Sequence, residues 1–204
     1  LIQVKSGISK ITSFDTAEYP THYGGEIKNF QPELFIDKRK IAKIGRVSQL
    51  AIAAAKLALQ EAKINLGSLN KDRTGLALGT TMGGSQVFEK LNSAWVKQGV
   101  DAIDPALIPM CPASSINANV ADEFGFKGPN YIIPTACAAG NYAIGYACDL
   151  IRMGRADIML AGGADAFSRI AFTGFNRLLA VAPQKCQPFD KNRKGMMVGE
   201  GAAV

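Results

Sequence analysis

A thiol placed where a strand hands over to a helix can act as a nucleophile, and Pro134-Thr135-Ala136-Cys137-Ala138-Ala139-Gly140 has that form. Tyr131-Ile132-Ile133 before it read as a short buried strand, and Asn141 to Ile151 after it carry apolar or small side chains at nearly every position. Cys137 would then sit at a helix N-terminus, where unpaired N–H groups and the helix dipole favour a negative charge and so the thiolate. A sharp strand-to-helix turn would also hold the sulfur clear of the sheet, as in a nucleophile elbow. From this local pattern alone the commoner fate of a free cysteine, a small and inert core residue, stays open.

Other reactive groups are few. Cys111, Cys148 and Cys186 are widely spaced, form no C-x-x-C pair, and are accompanied by one histidine, His22, so neither a zinc site nor a disulfide framework is suggested. This cysteine usage fits a reducing, cytoplasmic setting. No apolar run approaches the roughly 20 residues of a membrane span, and the N-terminus lacks the pattern of a signal peptide. Of the 23 basic residues, Lys38, Arg39, Lys40, Lys43 and Arg46 lie in a nine-residue window without an acid, and the remaining 18 face 17 acidic ones. Such a local excess points to one acidic partner rather than to nucleic acid, with a merely solvated helix start as the plain alternative.

The elements that would carry these groups alternate. Residues 1–37 hold turn formers and little periodicity, with room for one short hairpin. Ile41 to Ala62 has the apolar spacing of a helix, and Arg73 to Thr80 reads as a strand running into Thr80-Thr81-Met82-Gly83-Gly84-Ser85. That glycine-rich loop lacks the spacing of a nucleotide-binding motif and reads as a tight turn or pocket wall. Helices follow near 86–97 and 113–124, then the Cys137 turn and its helix, then a buried strand over Ala156 to Ala161. Strands alternating with helices predict a mostly parallel sheet flanked by helices. The chain closes on Gly199 to Val204 within a strand-like run, so residues 1–204 are expected to be one domain truncated at both ends.

Several segments occur in a telling order: Gly79-Thr80-Thr81-Met82-Gly83-Gly84, Gly128-Pro129-Asn130, Thr135-Ala136-Cys137, Gly154-Arg155-Ala156-Asp157, Ala161-Gly162-Gly163-Ala164-Asp165, and Pro188-Phe189-Asp190-Lys191-Asn192-Arg193-Lys194-Gly195 running on to Gly199-Glu200-Gly201-Ala202. Together they resemble the β-ketoacyl-acyl-carrier-protein synthases, condensing enzymes of fatty acid and polyketide synthesis within the thiolase superfamily. The resemblance implies a thiolase-like layered αβαβα α/β fold, of which this chain is the N-terminal half with the C-terminal half absent. It implies that Cys137 is acylated from an acyl carrier protein and that a decarboxylated malonyl unit attacks the acyl thioester. The Cys137 N–H is expected to form half of the oxyanion hole.

By the same resemblance Met82 and Phe175 line the acyl pocket, with plain core packing the alternative for each. Lys38, Arg39, Lys40, Lys43 and Arg46 are expected to dock the acidic carrier. No metal or cofactor is implied, and the intact family forms homodimers or heterodimers with a related subunit. His22 matches no motif of the family. Two histidines and a phenylalanine N–H that complete the family's site belong to the second half, so this chain alone is expected to be inactive. The rival readings are a non-catalytic chain-length partner subunit and a carrier-independent acyl-CoA condensing or thiolytic enzyme. One departure, Ala138-Ala139-Gly140 in place of the bulkier Ser or Thr often found there, bears on the pocket floor or on helix packing and leaves the thiol in place.

Overall fold

The computed structural model describes residues 6–204. In chain order its strands and α-helices are β1 (Ser9–Lys10), β2 (Tyr23–Gly24), α1 (Lys38–Ile41), α2 (Arg46–Glu61), β3 (Thr74–Gly79), α3 (Ser85–Gln98), α4 (Ser114–Phe124), β4 (Asn130–Ile133), α5 (Ala139–Arg152), β5 (Ile158–Asp165), α6 (Arg169–Arg177) and β6 (Gly201–Ala203). They fall into two compact units, one running to Phe30 and resuming over Phe167–Glu200, the other comprising Gln31–Ala166 and Gly201–Val204.

The larger unit is built on a sheet of order β4-β3-β5-β6. β3 lies parallel to both β4 and β5, and β6 closes the sheet antiparallel to β5. All six residues of β3 are buried, as suits a central strand covered on both faces. Side-chain alternation sorts the two faces. Leu76, Leu78, Ile132 and Leu160 pack with Val47, Ala51, Ile52 and Ala55 of α2 and Ile116 and Val120 of α4. On the other face Ala77, Ile133, Met159 and Ala161 meet Ala143 and Ala147 of α5. A helix–sheet–helix sandwich results, in keeping with the expected layered α/β arrangement.

Two family-like segments act as anchors here. Arg73 donates through Nε to Asp157 and through Nη2 to the Gly154 carbonyl, at 2.8 and 3.0 Å, while the Asp157 N–H returns a bond to the Arg73 carbonyl. The Gly154-Arg155-Ala156-Asp157 turn thereby sets the register of β5 against β3. The Leu76 N–H donates to the Pro129 carbonyl at 2.8 Å, starting the β3–β4 pairing from Gly128-Pro129-Asn130.

Three expectations need correction. The helix predicted over Ile41 to Ala62 is broken into α1 and α2, because Gly45 turns extended at the α2 N-cap and Gln49 Nε2 satisfies the freed Ile41 and Ile44 carbonyls at 3.1 Å each. β4 is not buried: it is an edge strand whose first two residues are exposed. β5 does not stop at Ala161 but runs through Gly162 and Gly163 to Asp165, because β6 pairs with its second half. Helix α6 had no counterpart in the periodicity.

The smaller unit has an aromatic core. Phe14, Tyr19, Phe167 and Phe172 stack with centroid distances of 5.1 to 6.4 Å, and Ile11, Val181 and Val198 complete the cluster. β1 and β2 form the short antiparallel pair anticipated in residues 1–37. Glu200 accepts from the Ile27 and Phe167 N–H groups at 2.8 and 3.1 Å. Glu26 accepts from the N–H and hydroxyl of Thr12 and from the Ser13 N–H. Burial alone would raise the Glu26 pKa, but these bonds from Ser13 and Thr12 outweigh it and hold the carboxyl below the usual glutamate range.

Candidate active site

Because β3, β4 and β5 are parallel, their C-terminal ends share one edge of the sheet, with Gly79 opposite Ile133 on one side and Gly163 on the other. Ligand sites in α/β sheets form at such edges. Here the chain leaves β4, turns through Pro134 and Thr135, and places Cys137 in a short 3-10 turn, Ala136–Ala138, that runs straight into α5. Ala136 adopts φ +52, a conformation that costs a non-glycine residue of order 1 kcal/mol or more and typically persists where the fold over-determines it. The turn leaves Cys137 exposed, so it is not the buried core cysteine that the local pattern left open.

Close packing fixes that turn. A side chain on Gly79 would place its Cβ 2.3 Å from the Ala139 carbonyl carbon and 2.5 Å from its oxygen, so only glycine lets α5 start directly over the strand end. The fit at Gly163 is looser, its Cβ position lying 3.3 Å from the Gly79 oxygen and 3.6 Å from Gly140 Cα. Ala139 itself is 3 % exposed. Of the small residues after Cys137 this approach bears on Ala139, whereas Ala138 is exposed and a Cβ on Gly140 would meet nothing nearer than the Gly162 oxygen at 4.0 Å.

The neighbouring loop is held by one carboxylate. Asp165 Oδ1 accepts from the Thr80 hydroxyl at 2.8 Å, the Thr81 N–H at 3.0 Å and the Met82 N–H at 2.8 Å, and Oδ2 accepts from Thr81 N–H at 3.0 Å. Thr80 Oγ1 in turn accepts from the Gly83 N–H at 3.0 Å. Met82 is half-buried on this loop. In the sequence Asp165 stands within the Ala161-Gly162-Gly163-Ala164-Asp165 motif with no role evident. A lone acid ending an apolar strand was the only available signal.

Met82 and Cys137 thus belong to the same unit and the same sheet edge, whereas Phe175 lies in the other unit, half-buried against the aromatic core around Phe167 and Phe172. Its observed contacts are those of core packing. His22 is exposed, with Nδ1 3.0 Å from Thr16 Oγ1. Among the other thiols Cys111 is half-buried and burial pushes it up, while Cys148 and Cys186 are exposed but lie on no such turn.

The basic segment occupies α1, the turn after it and the first residue of α2. Part of its charge is internally paired. Arg39 clasps Asp37 at 2.8 Å, and this guanidinium holds the Asp37 carboxyl well below the usual carboxylate range. Lys40 bridges Asp122 and Glu123 of α4 at 2.8 and 3.2 Å, and Arg46 is half-buried. Lys38 and Lys43 are exposed and, among the described residues, stand in no ion pair. Among the described residues no cluster of three His, Cys, Asp or Glu could hold a metal ion, and no helix is long and apolar enough to cross a membrane.

A family model described as "Beta-ketoacyl synthase, N-terminal domain" matches residues 1–204. The 3-oxoacyl-[acyl-carrier-protein] synthase 2 of Staphylococcus aureus is 35% identical over 205 residues, covering 98% of this chain and 51% of that protein. Among solved structures, the ishigamide ketosynthase/chain length factor superposes with a TM-score of 0.91 at 37% identity, over 97% of this chain and 49% of its own. A β-ketoacyl synthase from Burkholderia phymatum gives 0.77 at 27% identity, over 96% and 50%. The chain spans about half the length of the curated relatives it matches. With its exposed Cys137 turn, its helix–sheet–helix sandwich and this match along its whole length, the chain belongs to the β-ketoacyl synthase family, whose N-terminal domain it represents.

Proposed function

We propose that this chain is the nucleophile-bearing half of a 3-oxoacyl-acyl-carrier-protein synthase. The observation that carries the reading is the exposed Cys137 on a strained turn at the C-terminal edge of the parallel strands. The Cys137 thiolate attacks the carbonyl of an acyl thioester on a carrier protein, and the carrier thiol leaves with a proton. Loss of CO2 from a malonyl thioester then generates a carbanion that attacks the acyl carbonyl, forming the new C–C bond as the Cys137 sulfur leaves. The Cys137 N–H supports the oxyanion in both steps, and the second half of the intact protein supplies the remaining donor and the histidines. These 204 residues alone are not expected to condense.

The test is acylation of the full-length protein by an acyl carrier protein, followed by mass of the Cys137 peptide. Cys137→Ala should abolish acylation and lower condensation by about a thousandfold or more. An intact protein that never acylates Cys137 would instead favour the chain-length partner subunit. Retention of an exposed thiol at this turn favours the catalytic role.

Carrier docking falls to the unpaired cations. Lys38→Glu with Lys43→Glu should slow acylation by about tenfold at low salt, with a smaller difference at high salt. An unchanged rate would point to the carrier-independent alternative. Met82 forms an acyl wall in this reading, and Phe175 keeps that role only as part of the assembled protein. The intact enzyme is a homodimer or pairs with a related subunit, and the exposed edge of β4 is available for that contact. The setting is cytoplasmic, where exposed Cys137, Cys148 and Cys186 stay reduced.

A further inference from the structure

We infer that Asp165 is the positioning residue that sets where the Met82 wall stands and thereby which acyl lengths the site accepts. This rests on the ketosynthase reading given above. One carboxylate at the end of β5 gathers the Thr80 hydroxyl and the Thr81 and Met82 N–H groups, all within 3.0 Å. Thr80 is 2 % exposed, so its hydroxyl has no water to turn to, and through it the bond extends to the Gly83 N–H. Gly83 itself takes φ +52, which closes the turn ahead of α3. The Met82 N–H is therefore held by a residue 83 positions away on a neighbouring strand, while its carbonyl accepts from the Ser85 N–H of its own loop at 3.1 Å.

Methionine would otherwise be a poor length gauge. Its unbranched thioether has three rotatable bonds and fills whatever space is offered. A wall made from it discriminates between chain lengths only if its Cα is fixed. Asp165 performs that function without touching the acyl chain.

The experiment measures, in the full-length protein, the ratio of Cys137 acylation rates from butyryl and decanoyl carrier-protein thioesters. Asp165→Ala should change this ratio by about tenfold. In a Met82→Ala background the same substitution should change it by no more than about twofold, because the two residues act as one unit. A ratio unaltered by Asp165→Ala, or altered equally in both backgrounds, overturns the proposal. Should Asp165→Ala fail to fold, Thr80→Val, which keeps the shape and puts a methyl in place of the hydroxyl, is read by the same ratio and the same criteria. If the unsubstituted protein takes no acyl group from a carrier, the functional reading fails by itself. The ratio of Cys137 alkylation by N-butyl and N-decyl iodoacetamide then decides the part of Asp165.

Discussion

Helix α5 shows two faces that differ in nearly every respect. Toward the sheet it presents Ala139, Ala143, Ala147 and Leu150, all at most 5 % exposed. Away from it stand Tyr142, Ile144, Tyr146 and Ile151, between 38 and 62 % exposed, with Cys148 among them. The inner stripe is small because the helix lies close on the strands, and its job is to hold the Cys137 turn in place. The outer face is large and apolar, and the ring of Tyr146 meets that of Tyr131 on β4 edge-on at 5.0 Å. Asn141, Asp149 and Arg152 are the polar side chains on that side, the last two paired at 3.5 Å. In the reading proposed above, the second half of the intact protein covers this outer face.

Substitutions on each side test this contrast, with the most disruptive nearest the nucleophile. Gly79→Val brings a side chain into the Ala139 backbone, and should cost about 3 kcal/mol or more in denaturant unfolding while slowing alkylation of Cys137. Milder values would mean that α5 can lift without consequence for the thiol. Ala143→Leu, at a position with no exposure, should cost about 1–3 kcal/mol by overpacking against Ala77. On the outer face Ile144→Ser should destabilise the full-length protein by about 2 kcal/mol, the value of a buried aliphatic side chain. A change within about 0.5 kcal/mol would place that face in solvent in the intact protein and remove the reason for a second layer.

Much of this was legible in the chain. The positions of α3, α4, β3 and the Cys137 turn follow from periodicity and turn chemistry, which act between near neighbours. The family-like segments were equally visible, yet in the structure most of them work as anchors: Asp157 on Arg73, Glu200 on Ile27 and Phe167, Asp190 on Asn192. Only the Cys137 turn presents a group that the proposed reaction would use. The break at Gly45 was missed because helical periodicity continues through it. The pairing of Lys40 was not legible in the basic run, because its acids on α4 lie 82 and 83 residues away.

By itself the sequence determined most of the strand and helix order, the parallel bias of the sheet and the placing of Cys137 on a strand-to-helix turn, since each depends on residue type and short spacing. Tertiary structure decided that Cys137 is exposed rather than buried, that Phe175 packs in an aromatic core, and that Asp165 governs the Met82 loop. Those outcomes depend on which groups the sheet brings together, and Asp165 meets Thr80 across 85 residues only because β3 and β5 pair in register.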